Sequence, residues 1–226
     1  MRHQKINWLY EVILGGQDGL VNVLGIVLGV TAANGSKPII IAASLAAAFA
    51  EAISMAAVAY TSTLTQRDHY KKEWAREMDE VDTIPEQEKE ELREIYRKKG
   101  FSGEILEQVV ATIAADKNNW VEVMMEEELK LQPVDQKSIF RTSAVVGLAA
   151  IFGSFIPLTP YFLFDLNLAP FVAVAISGLA LFLVGVYEAK IYVGLWWKNG
   201  LRMTFIGLGS ALVGYLIGTI FKVPGA

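Results

Sequence analysis

The sequence has no cysteine. That excludes disulfides, iron–sulfur clusters, thiolate zinc sites and a cysteine nucleophile. Histidine is nearly absent: His3 and His69 are the only two, too few for an imidazole-built metal centre, and a Ser–His–Asp triad has little to draw on. Charge is scarce as well. Asp, Glu, Lys and Arg make up 19% of the chain, where an ordinary soluble domain carries about 25%. The net charge of −4 leaves no basic footprint, so no nucleic-acid partner is expected. No repeat long enough for a solenoid and no low-complexity segment is present.

What fills the 226 residues is apolar: 53% of them, with a mean hydropathy of +0.37. The apolar residues gather in five runs. Residues 13–33 carry one charge, Asp18, next to Gln17, and residues 38–65 carry one, Glu51. Residues 144–164, 166–187 and 203–221 carry essentially none. About 20 helical residues cross the hydrocarbon core of a bilayer, so each run is long enough to span it. Lipid offers the backbone no hydrogen bonds, so each run is expected to be a helix. Pro157 and Pro160 predict that the third helix ends near them. The first ten residues are too polar for the apolar part of a cleaved signal peptide, and the first helix is expected to stay.

Residues 66–137, between the second and third runs, are of another kind. They hold 19 of the 24 acids and 12 of the 20 basic residues, a net charge of −7 within a total of −4. Three helical stretches are expected. The first continues from the second membrane helix to about Glu80. Pro85 opens the second, 86–99, which Gly100 closes. Ser102 caps the third, with Glu104 and Glu107 in its early turns and Pro133 beyond its end. Lys and Arg favour the cytoplasmic side of a membrane. Placing the N-terminus inside puts all basic residues but Lys37 and Lys222 on that side. The acidic insert is then cytosolic and the C-terminus external.

Two acids lie inside the apolar runs. A carboxylate there costs about 2.5–3.5 kcal/mol on insertion scales and is read first as functional. Asp18 stands about eight residues, or roughly 12 Å, from the inner end of its helix. Met55 stands at a comparable height on the second helix, and Glu51 lies one turn further out on the same face. Two carboxylates and a thioether therefore converge if the two helices touch. The plainer alternatives are that Asp18 caps a helix broken at Gly15, Gly16 and Gly19, and that Met55 only packs. Small residues recur at four-residue spacing, at Gly15/Gly19, Gly25/Gly29 and Ser210/Gly214/Gly218, and the second helix is Ala-rich. Such faces allow close helix approach and are compatible with a homodimer.

The insert has its own pattern. Glu77 and Glu80 are three apart on the first stretch, as are Glu88 and Glu91 on the second. Met124, Met125 and Glu128 share a face on the third. Solvated helix faces account for most Glu runs, but not for the two methionines beside acids. Carboxylates suit hard cations, and a thioether adds preference for a softer transition metal. No EF-hand loop is present, and the Glu-x-x-His pairs of a di-iron oxidase are missing. The pattern points to transient metal capture.

Asp18-Gly19-Leu20-Val21 is followed by Leu28-Gly29-Val30, then by Ser54-Met55-Ala56-Ala57 with Tyr60, then by Gln66-Arg67-Asp68. The insert adds Glu91-Leu92-Arg93-Glu94-Ile95-Tyr96 and Met124-Met125. In these residues the chain resembles the vacuolar iron transporter family over almost its whole length. The resemblance implies a five-helix, dimeric antiporter that moves ferrous iron out of the cytosol against protons, some members also moving manganese. It implies a pathway at the dimer interface between the first two helices, with Asp18 and Met55 as transport residues. It further implies Glu77, Glu80, Glu88, Glu91, Met124, Met125 and Glu128 as ligands of a cytosolic metal-binding domain. One departure stands out: the family commonly has Gly-Glu where this chain has Val58-Ala59. Glu51, two turns away, is the expected substitute at a different height.

The expectation is an all-α membrane protein of five transmembrane helices, with a three-helix cytosolic metal-binding insert between helices two and three. Its parts are residues 1–65, 66–137 and 138–226. The expected function is proton-coupled export of a divalent metal through Asp18, Glu51 and Met55. Fe2+ is the first candidate, and Mn2+, Co2+ and Zn2+ follow. The alternative is a membrane-bound metal sensor or store without transport. An enzyme and an organic cofactor are not expected, for want of any base–nucleophile set. A short chain without a targeting extension is expected in a prokaryotic plasma membrane rather than a vacuole.

Overall fold

The computed structural model describes residues 2–191 and 194–222. Arg2 and Lys5, which entered the orientation reading, have side chains outside the described part, as does the tail beyond 222. The described residues form eight helices: α1 Arg2–Ala32, α2 Lys37–Thr83, α3 Pro85–Lys98, α4 Gly103–Ala114, α5 Lys117–Glu127, α6 Gln136–Leu163, α7 Ala169–Ile191 and α8 Trp196–Ile220. Five of them, α1, α2, α6, α7 and α8, are long and apolar enough to cross a membrane. The chain divides into two compact units, one of residues 1–60 and 140–226, the other of residues 61–139. α2 has 47 residues, about 70 Å of helix and more than twice the hydrocarbon thickness. It contributes to both units.

The first unit is built around α1. Val23, Leu24 and Val27 are wholly buried, packed with Ile40 and Ala48 of α2, Leu158 and Tyr161 of α6, Ala173 of α7 and Ala211 of α8. Glycine permits this approach. A Cβ placed on Gly218 would sit 1.9 Å from the Gly29 carbonyl oxygen, and one on Gly19 would sit 2.1 Å from that of Ala150. The small-residue faces of α1 and α8 are thus used within one chain, where the spacing alone also allowed a contact between copies.

α6 ends near its prolines, as expected, three residues past the second. It runs through Pro157 and Pro160 to Leu163. Each proline removes a donor, which would otherwise serve the carbonyl four residues back. Neighbouring helices and hydroxyls make such losses tolerable within a membrane bundle. The carbonyls concerned are those of Gly153 and Ile156; beside them Thr159 Oγ1 donates to the Phe155 carbonyl at 2.6 Å, and Tyr161 is wholly buried with its hydroxyl 3.0 Å from Thr31 Oγ1.

Within the second unit α3 and α4 start where Pro85 and Ser102 led one to expect, and the number of helices needs one correction. Pro85 opens α3, which has Glu86 and Glu88 in its first turn and Arg97 and Lys98 in its last, each charge complementing the helix dipole. Gly100, at φ +98°, turns the chain away in a conformation that favours glycine. The third expected helix is two helices. Asp116 breaks it, its side chain accepting from the Asn119 backbone N–H at 2.9 Å and so opening α5 afresh. The core of this unit joins Val81 of α2, Leu92 of α3, Leu106, Val110 and Ile113 of α4, and Trp120, Val121, Met124 and Met125 of α5.

Candidate functional site

Asp18 and Glu51 meet. A cavity of about 440 Å³ is lined by Asp18, Asn22 and Ile26 of α1 and by Ala47, Glu51, Ser54 and Met55 of α2. All three residues expected on the path face this one space. The repeat of the helix explains it: Asp18, Asn22 and Ile26 recur every fourth position on α1, as do Ala47, Glu51 and Met55 on α2. The Asn22 side-chain amide donates to Glu51 Oε1, and the Asp18 carboxyl lies within hydrogen-bonding reach of Glu51. Among the described residues no basic side chain lines the cavity. Two carboxylates so close repel each other, and a cation between them would offset that repulsion. The Met55 thioether offers a soft ligand beside two hard ones.

Size does not pick out this site. A larger cavity of about 780 Å³ lies between α1, α6 and α7, but among the described residues its lining holds no acid and no base. Glu51 stands at the level that a carboxylate at Ala59 would not reach, two turns away along α2.

The insert gathers the other expected residues. Glu77 and Glu88 are buried, at 1% and 2% exposure. Glu91, Glu77, Glu80 and Glu128 all lie close enough to Glu88 to oppose its ionisation. Burial is the larger cause, and together they push the Glu88 carboxyl up to about 7. Glu77 Oε2 and Glu88 Oε2 are shut off from solvent without a hydrogen-bond partner among the described residues. Arg76 supplies the local counter-charge. Its Nη2 donates to Glu77 Oε1 at 2.8 Å, and its Nε stands 3.1 Å from Glu73 and 3.9 Å from Glu80. Met124 and Met125 are wholly buried in the adjoining apolar core. The five glutamates form a loose cluster: among the described residues no three Asp, Glu or His groups are drawn tightly enough to hold one metal ion. Glu86 and Glu90 belong to the solvated face, paired to Lys89 at 2.7 Å and to Arg93 at 3.0 Å.

Two polar residues of the first unit escaped the sequence reading. Asn22 is the amide that fixes Glu51, and its signal was a polar residue one turn after Asp18. Glu11 is buried at 9% exposure and accepts from Thr142 Oγ1 at 2.7 Å. Its signal was its place two turns before Asp18, masked by the polar segment next to it.

The family model described as "VIT family" matches residues 9–219. Vacuolar iron transporter 1 of Arabidopsis thaliana is 29% identical over 213 residues, covering 94% of this chain and 85% of the relative. Vacuolar iron transporter 2 of Oryza sativa subsp. japonica is 31% identical over 175 residues, 76% of this chain and 71% of the relative. The vacuolar iron transporter of Plasmodium falciparum (isolate 3D7) is 30% identical over 224 residues, 95% and 82% of the two chains. All three are eukaryotic and carry the vacuole in their names, so the expectation of a prokaryotic plasma membrane draws no support from them. The match spans both units and all five long apolar helices, and the chain belongs to the VIT family.

Proposed function

We propose that this chain is a proton-coupled carrier of divalent metal that moves Fe2+, and secondarily Mn2+, out of the cytosol. The observation that carries the reading is the meeting of Asp18, Glu51 and Met55 at one cavity between helices apolar enough to span a membrane. Iron comes from the names of the relatives. In the proposed cycle a metal ion enters the cavity, loses part of its water to the two carboxylates and the thioether, and balances their charge. Protons arriving from the far side neutralise the carboxylates and release it. Asn22 holds Glu51 in place throughout.

The glutamates of the insert are proposed as the cytosolic capture site, raising the local metal concentration before transit. A divalent ion between Glu77, Glu80, Glu88, Glu91 and Glu128 relieves their repulsion, with Met124 and Met125 at hand from the core. A homodimer is proposed through α2, whose Ala46, Ala50 and Ile53 are exposed and small enough, in the two alanines, for close approach. The buried, unpartnered oxygens of Glu77 and Glu88 also favour a second reading, a sensor or store that binds metal and moves none. Purified protein in liposomes decides between them. Saturable Fe2+ flux that drives protons the opposite way supports the carrier, and binding without flux supports the sensor.

A further inference from the structure

The first unit has a second opening, the cavity of about 780 Å³ between α1, α6 and α7, which no residue of the proposed transport path lines. It lies on the side of α1 away from Asp18 and Asn22. Leu9, Gly16 and Leu20 of its lining stand roughly 160–180° around the helix from Asp18, at about 100° per residue. One end of the groove is shut by Leu20, Ile156 and Leu181, which pack together. The other end is rimmed by Trp8 and Tyr187, 44% and 52% exposed. Along its side the groove is open, where Leu148, Phe152 and Leu183 are more than half exposed.

All three helices are apolar enough to cross a membrane, so the open side faces hydrocarbon, and the dimensions fit a lipid chain. Twelve residues, about 18 Å of helix, separate Trp8 from Leu20, close to the depth of one leaflet in a hydrocarbon core of about 30 Å. Two basic residues mark the open end. Arg141 stands one turn before Val145 of the α6 lining, and Lys190 three residues beyond Tyr187 of the α7 lining, so each prolongs its lining face past the rim. Both are exposed, and neither has an ion pair among the described residues. The acids nearby, Glu11 and Glu188, each have an oxygen shut off from solvent, turned into the bundle. The polar groups of the lining, the Trp8 indole, the Gln17 amide and the Tyr187 hydroxyl, all bring an N–H or O–H donor. Lipid ester and phosphate oxygens are acceptors.

We propose that this groove is the seat of one anionic phospholipid, with an acyl chain between α1, α6 and α7 and the phosphate at Arg141 and Lys190. The chain buries apolar surface that the protein leaves open, and the two bases select the headgroup, as basic pockets between membrane helices do. Trp8 and Tyr187 hold the level of the glycerol esters, where amphipathic rings settle in a bilayer. A lipid so placed fastens α7 to α1 and α6. The site stands apart from the metal path and does not depend on the carrier reading.

The test is native mass spectrometry of the full chain in mild detergent at low salt, with thermal unfolding alongside. The probes are phosphatidylglycerol, phosphatidylcholine with the same chains, and inorganic phosphate. The wild type is expected to retain one phosphatidylglycerol per chain, preferred over phosphatidylcholine by about fivefold for each base, or roughly 30-fold for the pair. Phosphatidylglycerol should also raise the unfolding midpoint more than phosphatidylcholine does. Arg141→Gln with Lys190→Gln should bring the preference within about twofold and leave the fold intact. Leu183→Trp, which sets an indole in the open side, should abolish retention of both lipids. Equal retention of the two lipids by the wild type would mean ordinary surrounding lipid and overturn the site, as would an undiminished preference in the double variant. No retained lipid, or stabilisation by inorganic phosphate alone, would overturn it too. A dimer lost on Leu183→Trp would make the groove an interface between copies instead. The double variant changes exposed side chains only and decides the matter even where Leu183→Trp does not fold.

Discussion

The cavity between α1 and α2 and the cluster in the insert both collect carboxylates, and they treat charge in opposite ways. Among the described residues the cavity has two acids, an amide, a thioether and no basic group. The cluster has five acids with a guanidinium among them. A site without its own counter-ion is neutral only while something passes through it, which suits transit. A site with one can stand empty at modest cost and exchange Arg76 for a metal, which suits capture.

Asp18→Asn tests the first half of that contrast most severely. An uncompensated or missing partner in a buried charge pair costs about 3–5 kcal/mol, so flux should fall by about a hundredfold or more. The folded protein should survive, because the amide keeps the shape. Near-normal flux in liposomes would remove Asp18 from the path. Glu51→Gln should retain some metal movement but weaken its coupling, read as less proton movement per metal with a pH dye inside the vesicles. Unchanged coupling would reduce Glu51 to a hydrogen-bond partner of Asn22.

The second half is tested by replacing Glu77, Glu80, Glu88 and Glu91 with Gln together in the full chain. Calorimetry should show metal binding to the insert lost, while Glu86→Gln with Glu90→Gln should leave it. Equal loss from both sets would mean a diffuse acidic surface. The effect of pH follows from Glu88. Its folded pKa of about 7 lies above that of a free Glu, near 4.3, so the folded state holds the proton more tightly. Without metal, its contribution to stability is fully present below the free value and is lost as pH rises through about 7. With metal the demand reverses, because the ligand must be ionised. Affinity should weaken as pH drops below 7, and titrations at pH 6 and 8 will show whether it does. Met55→Leu is expected to have the smallest effect. Volume is kept and sulfur removed, so relative Fe2+, Mn2+ and Co2+ fluxes should shift while folding does not. Unchanged flux ratios would leave Met55 as packing.

Local signals were legible in the sequence, and distant ones were not. Pro85 and Gly100 marked α3 because their backbone constraints act on the spot. Asp18, Glu51 and Met55 could be placed together because helical spacing and the lipid penalty are both readable along one strand of text. Asn22 could not be assigned, since its partner lies 29 residues away and only packing brings it near. Glu11 gave no signal of its own at the edge of a polar tail, because its partner, Thr142, comes from another helix. The prolines of α6 marked its end, at Leu163, while the helix runs on through both of them, as membrane bundles allow. Asp116 was not singled out within the third expected stretch, although its side chain starts a new helix.

The glycine contacts of α1 have a mechanical meaning. On the α8 side an added methyl at Gly218 or Gly214 would run into the backbone of Gly29 or Gly25 at 1.9 and 2.5 Å. On the α6 side Gly153 meets Gly16 in the same manner, at 2.0 Å. Main chain against main chain has no rotamers to adjust, so sliding along either seam means overpacking, at about 1–3 kcal/mol or more per collision. Around the cavity α1 meets α2 through side chains, which reorient in picoseconds to nanoseconds when they have room. Stiffness around α1 is therefore lopsided: α6 and α8 clamp it like a rail in its bed, and the α2 side is left as the cheapest place for the protein to change shape.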